Sequence, residues 1–291
     1  MQAFGRYNPI INFIFFAIVI FFTMVLMNPI YLAISFVMST GYAILVSGKR
    51  AIKLFCMVLP FAMLSILINV LFNHRGNTIL FYFTSGNPFT LESLIFGFSS
   101  AMMIASTILW FHSFHHLMTS DKLLYVFGRV VPSFSLLLSM TFRFIPRFVN
   151  DMKELINGQK CIGNDIHQGN FFHRLKTAGT VLSAETSLAF ENSIDTATSM
   201  HMRGFHGKKR SSFRLYQMTR KDIYFLFILV ILLLFLLVGI YQNYAYYRFF
   251  PSFQIGEIRL QTILMIGGYI FVVSMPLMLE VKEMIQWQKL K

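Results

Sequence analysis

Charge is scarce in this chain. Of 291 residues only 13% are charged and just 12 are acidic, against about 25% charged in an ordinary soluble domain. Apolar residues make up 56%, including 34 Phe and 18 Met. That balance excludes a soluble or disordered chain and leaves a polytopic membrane protein. Cysteine is nearly missing. Cys56 sits in an apolar run and Cys161 in a polar one, which gives no disulfide framework. The first apolar run is followed by no small-residue cleavage pattern, so no cleavable signal is expected. Acids are missing from the middle of every apolar run. Glu92, Asp222, Glu257 and Glu280 all stand near run ends. Proton-coupled transporters and intramembrane proteases place an ionisable group in the bilayer core. Its absence fits a component whose energy comes from a partner.

What is present is a series of apolar runs. A helical span needs about 20 mostly apolar residues. Runs at 11–27, 54–72, 94–118, 222–243 and 258–279 qualify, and another at 30–47 follows Asn28-Pro29. Residues 11–47 read as a helical hairpin, with proline in the first turn of a helix where its missing N–H costs nothing. The stretch 130–149 is apolar but carries Pro132, Arg143, Pro146 and Arg147. Its uncharged part is about 13 residues, or about 20 Å of helix, too short for a core of about 30 Å.

Basic residues supply the orientation. The net charge is +13, and 13 of the 25 Lys and Arg lie between Arg143 and Lys221, against six acids there. Cytoplasmic loops retain Lys and Arg. About six crossings, both termini cytosolic, and a non-spanning embedded helix at 130–146 put Lys49, Arg50 and Lys53, a polar loop at 119–129, and this basic segment inside. Within it, helical spacing and glycine breaks at Gly163–Gly169 and Gly204–Ser212 predict two long helices, about 147–162 and 171–203. The expected fold class is therefore an all-α polytopic membrane protein with a cytosolic helical arm. Its regions are 1–129 (about four spans), 130–221 (embedded helix and arm) and 222–291 (about two spans). An arm of roughly 60 residues is too small for an independent enzyme domain; it suits docking.

Several constellations have an ordinary reading beside a chemical one. Gly41 to Arg50, GYAILVSGKR, has six residues between its glycines and Arg50 where a phosphate loop has a hydroxyl; it reads as a span end with stop-transfer cations. His112, His115 and His116 form an HxxHH box like one box of membrane di-iron oxidoreductases. That gives a second reading, a metal-dependent membrane enzyme. No second box exists, and a metal site needs its full ligand set, so interfacial histidines are the simpler account and no metal or cofactor is expected. A permease acting alone is a third reading. No G-x-S-x-G elbow is present. The run Lys208-Lys209-Arg210 with Arg214, Arg220 and Lys221 is explained by orientation and anionic lipid rather than nucleic acid. Met202-Arg203-Gly204 ends the second arm helix. A projecting Arg there can fork onto a partner's carboxylate or carbonyls, though ordinary helix termination gives the same pattern.

These residues together resemble a family. Asn8-Pro9, Asn28-Pro29, SDKLLYVFGRVVP (Ser120 to Pro132), RFIPRF (Arg143 to Phe148) and SMHMRGF (Ser199 to Phe205) look like the T component of energy-coupling factor (ECF) transporters. That is the vitamin- and metal-uptake branch of ABC transporters. The resemblance runs along most of the chain; the final span, 258–279, is an extension beyond the family's shorter members. It implies a non-catalytic subunit of a bacterial plasma-membrane importer. Two cytosolic ATPases would be held by the arm, and a small membrane S component would select the substrate. Arg143 and Pro146 would start the first coupling helix. Met202, Arg203 and Gly204 match the family's Ala-Arg-Gly motif, with Met202 in the alanine position. The first motif falls at Gln159, Lys160 and Gly163, but Ile162 stands in the arginine's place.

Overall fold

A computed structural model describes residues 3–82, 88–130, 132–166, 168, 170–205, 216–244, 247–255 and 259–289. Among them the chain is almost wholly helical. A short 3₁₀ turn at Phe4–Arg6 leads into α1 (Pro9–Val25), α2 (Pro29–Ser47) and α3 (Lys49–Phe72). A small hairpin of β1 (Ile79–Tyr82) and β2 (Pro88–Thr90) follows, then α4 (Leu91–Leu117), α5 (Ser120–Val130), α6 (Pro132–Cys161) and α7 (Phe171–Met202). The chain ends with α8 (Arg220–Tyr241), a pair β3 (Tyr247–Arg248) and β4 (Gln254–Ile255), and α9 (Leu260–Lys289). Two compact units result: residues 1–126 with 216–291, and residues 127–215.

The first unit is the membrane region. α2, α3, α4, α8 and α9 are long and apolar enough to cross a bilayer. α1 has 17 residues, or about 26 Å at 1.5 Å per residue, slightly under a core of about 30 Å. The protein is thus an all-α, multi-pass membrane protein. The first two helices open with the same device. Asn8 Oδ1 accepts the Ile10 N–H at 3.1 Å with Pro9 in the first turn, and Asn28 Oδ1 accepts the Ile30 N–H at 3.1 Å with Pro29 in the first turn. Each such cap is worth about 1 kcal/mol. α8 opens with a full capping box between Thr219 and Asp222.

α4 packs against α1, α2 and α3, while α9 packs against α2 and α8. The core between them is aromatic: Phe15, Phe16, Tyr42, Trp110 and Tyr269 are all buried. Phe15 and Phe16 each meet Trp110 edge-on, the geometry that ring quadrupoles favour. Polar groups tie the same helices. Trp110 Nε1 donates to Ser35 Oγ at 3.1 Å, and Ser35 Oγ lies 2.9 Å from Thr23 Oγ1. α9 is therefore a core element of this unit, contributing the buried Tyr269, Val272 and Val273.

The acids near span ends are structural. Glu92 Oε1 accepts the Asn77 and Thr78 N–H groups. Asp222 accepts the Asn8 N–H as well as the Thr219 N–H. Glu280 accepts the Phe4 N–H at 3.2 Å, and Glu283 pairs with Arg6 at 2.8 Å. Lys122 Nζ donates to the Gly5 and Leu117 carbonyls, and burial holds its ammonium below the ordinary lysine pKa. Four separate anchors thus fasten the first residues of the chain to α5, α8 and α9. Glu257 lies outside the described residues.

The second unit holds α6 and α7, which pack on each other. Two expectations are corrected. Residues 119–129, expected to be a loop, form most of α5, whose Ser120 and Asp121 suit a helix start. The embedded helix at 130–146 and the arm helix at 147–162 are one continuous helix, α6, of 30 residues with Pro146 inside it. Proline removes one i→i−4 bond, here to the Phe142 carbonyl, and this bends or strains a helix without ending it when packing holds both sides. Pro146 is therefore not a helix start. The break expected at Gly204–Ser212 runs into residues outside the described ones, as do Lys208, Lys209, Arg210 and Arg214.

Candidate functional site

The arm ends in two matching turns. At the end of α7 the Phe205 N–H donates to the Met200 carbonyl at 3.1 Å and the Gly204 N–H to the His201 carbonyl at 3.0 Å. At the end of α6 the Asn164 N–H donates to the Gln159 carbonyl at 2.9 Å and the Gly163 N–H to the Lys160 carbonyl at 3.1 Å. Both are Schellman closures, which satisfy the last orphan carbonyls of a helix. Gly204 has φ 76° and Gly163 φ 86°, a left-handed conformation that costs other residues roughly 1–2 kcal/mol. A Cβ at either glycine would meet open space. The requirement is conformational rather than steric.

The last helical turn differs between the two ends. Arg203 caps α7 with φ −77° and ψ 5°, and Met202 before it is 83% exposed. Among the described residues the Arg203 guanidinium makes no hydrogen bond or ion pair. At the equivalent place on α6, Ile162 is 70% exposed, a bare apolar side chain in solvent. Its neighbours fold back on their own turn. Lys160 Nζ lies 3.9 Å from Asp165 Oδ2, and Asn164 Nδ2 donates to Gln159 Oε1 at 3.4 Å. Gln159 and Lys160 are engaged locally, and Arg203 is not.

The two helices meet upstream of these ends. Arg147 Nη2 donates to Asn192 Oδ1 at 2.9 Å, and its Nε lies 3.6 Å from Asp151 Oδ2. Measured along each helix at 1.5 Å per residue, this contact is about 21 Å from Cys161 and about 15 Å from Met202. Arg143 lies over the Phe144 ring at 5.8 Å. Nothing in the sequence pattern marks Asn192. The i,i+4 spacing of Arg147 and Asp151 was the one available signal that this surface of α6 is occupied.

The histidine box gives no second candidate. His112 Nε2 is 3.0 Å from Ser47 Oγ on α2. The His112 and His116 rings lie 6.5 Å apart, and His115 and His116 face outward. Among the described residues no group of three or more His, Cys, Asp or Glu is placed to hold a metal ion.

Comparison with known proteins bears on this arrangement. A family model described as a cobalt transport protein, CbiQ, matches residues 4–214. The energy-coupling factor transporter transmembrane protein EcfT of Streptococcus equi subsp. equi is 29% identical over 96 residues, 33% of this chain and 36% of that one. EcfT of Streptococcus thermophilus is 27% identical over 165 residues, 52% of this chain and 60% of that one. An uncharacterized protein of Mycoplasma genitalium is 32% identical over 97 residues, 33% of this chain and 23% of that one. The matched stretches thus span from about a quarter to 60% of these relatives' own lengths.

Proposed function

Since the chain belongs to the CbiQ cobalt transport protein family, and with it to the T components that its sequence resembles, we propose that it couples ATP hydrolysis to import. In this reading it is a transport subunit rather than an enzyme. Two cytosolic ABC-type ATPases dock on the arm, and a small S component in the bacterial plasma membrane binds the substrate, a vitamin or other micronutrient. Both termini and the arm face the cytosol, as the distribution of Lys and Arg favours. The three regions 1–129, 130–221 and 222–291 divide the work into membrane scaffold, coupling arm and closing spans.

The observation that carries this reading is the end of α7. Arg203 stands at the tip of a helix, without a partner among the described residues, beside an exposed Met202 and a turn locked by Gly204. A planar guanidinium held on a rigid helix end is pre-organised to fork onto carbonyls or a carboxylate. We assign Met202, Arg203 and Gly204 to the contact with one ATPase. Gln159, Lys160 and Gly163 form the corresponding contact with the other, in a weakened form because Ile162 offers no charge. Arg143 and Pro146 mark where the coupling part of α6 begins.

The test is co-purification. The tagged chain, expressed in its native host, should retain two ABC-type ATPases per chain in detergent. Recovery of the intact chain with neither ATPase, or ATP-independent uptake by the chain alone in liposomes, would overturn the proposal.

A further inference from the structure

A cleft of about 190 Å³ opens between α6 and α7 and is lined by Phe144, Arg147, Phe148, Asp151, Glu185 and Asn192 among others. Glu185 lies in the buried seam of α7, where Thr177, Val181 and Glu185 recur every four residues, the spacing of one helix face. It is only 1% exposed. Its Oε2 is buried and has no hydrogen-bond partner. The one guanidinium that lines the cleft is committed elsewhere: Arg147 binds Asn192 and Asp151. One guanidinium against two carboxylates leaves the cleft with one negative charge in excess.

A buried carboxylate oxygen without a donor is a costly arrangement. It persists in native proteins where something else supplies the donor. The cleft has room for a side chain, since a water takes about 30 Å³. Its wall offers the rings of Phe144 and Phe148, against which an alkyl stem packs and a cation is attracted. A compact ammonium on a flexible stem is satisfied by the single buried acceptor, Oε2, without the two-point geometry that a guanidinium fork needs.

We propose that this cleft receives one lysine side chain of a partner protein docked on the arm, with Glu185 Oε2 accepting from its ammonium. The proposal rests on the reading of the arm as a docking element. It adds a second contact, separate from the helix ends and opposite in charge to Arg203. The arm is basic overall, so this anionic pocket selects for a partner that presents a single lysine among otherwise neutral or acidic contacts.

The experiment compares wild type, Glu185→Gln and Asp195→Asn, the last an exposed carboxylate on the same helix. Two quantities are read: the melting temperature of the free chain, and the dissociation rate of each partner from the assembled complex. Glu185→Gln removes an uncompensated buried charge, so the free chain should melt about 2 °C or more higher. The complex should lose one partner at least about tenfold faster. Asp195→Asn should change neither. Carbodiimide coupling of the wild-type complex should link Glu185 to a partner lysine, which Glu185→Gln abolishes. A complex that holds its partners equally well with Glu185→Gln overturns the lysine contact alone and leaves the pocket to bound water. Failure of the wild-type chain to assemble with any ATPase overturns the docking reading and this proposal together.

Discussion

The ends of α6 and α7 share one backbone turn and differ at the capping residue. Both close with the same pair of N–H to carbonyl bonds and a glycine at positive φ. α8 closes the same way, with Asn243 at φ 60° in the glycine's place and its N–H bonded to the Ile240 carbonyl. The turn itself is therefore a general way of ending a helix, and three helices of different roles use it. What separates α7 is the residue that the turn displays. Arg203 projects a charge that nothing among the described residues engages; Ile162 projects an apolar side chain; Gln242 caps the membrane helix α8. The backbone fixes where the side chain points, and the side chain decides what can be gripped.

The strongest way to break this comparison is to remove the charge at one end. Removing one member of a desolvated, hydrogen-bonded charge contact costs about 2–5 kcal/mol. Arg203→Ala should weaken ATPase binding by at least about 30-fold in a pull-down titration, while the membrane unit keeps its melting temperature. Giving the first end what it lacks sharpens the comparison from the other side. Ile162→Arg should tighten retention of the second ATPase by about tenfold, the size of one hydrogen bond to a charged group; unchanged retention would mean that α6 docks through its other residues. Smaller still is the backbone effect. Gly204→Ala and Gly163→Ala should each destabilise the arm by about 1–2 kcal/mol in thermal melts, nearly equally, since neither Cβ meets an obstacle. Transport should nevertheless fall more for Gly204→Ala, because only that turn carries Arg203. Equal transport losses would show that the first end still works. The smallest effect belongs to Lys160→Gln. The 3.9 Å contact of this exposed side chain with Asp165 is worth under about 1 kcal/mol, and stability should barely move.

Much of this was legible in the sequence because the signals were local. Asn8-Pro9 and Asn28-Pro29 start helices through contacts two residues long. Gly163 and Gly204 stop them through φ alone. The apolar runs needed only counting. The misread features depend on partners far along the chain. Pro146 reads as a helix start through the resemblance of RFIPRF, yet α6 continues through it. Ser120, Asp121 and Lys122 read as a polar loop, though the lysine is drawn inward by carbonyls of Gly5 and Leu117. Glu280 looks like a charge at a span end, and only the fold brings it to the Phe4 amide. Glu185 shows the same limit. Nothing local tells that Glu185 falls in the buried seam with Thr177 and Val181, or that its Oε2 is left without a partner. For the proposed docking site, the sequence marks both helix ends and the Ile162 departure. That α6 and α7 close with the same backbone turn, and differ in the side chains around it, needed coordinates.

The central claim is that Arg203 transmits the work of an ATPase through the arm. The most direct measurement is ATP-driven uptake of the S component's substrate by the assembled complex in proteoliposomes, comparing wild type with Arg203→Glu. The account predicts that uptake is lost while the chain remains folded and the S component stays bound. Full uptake by the Arg203→Glu complex would contradict it.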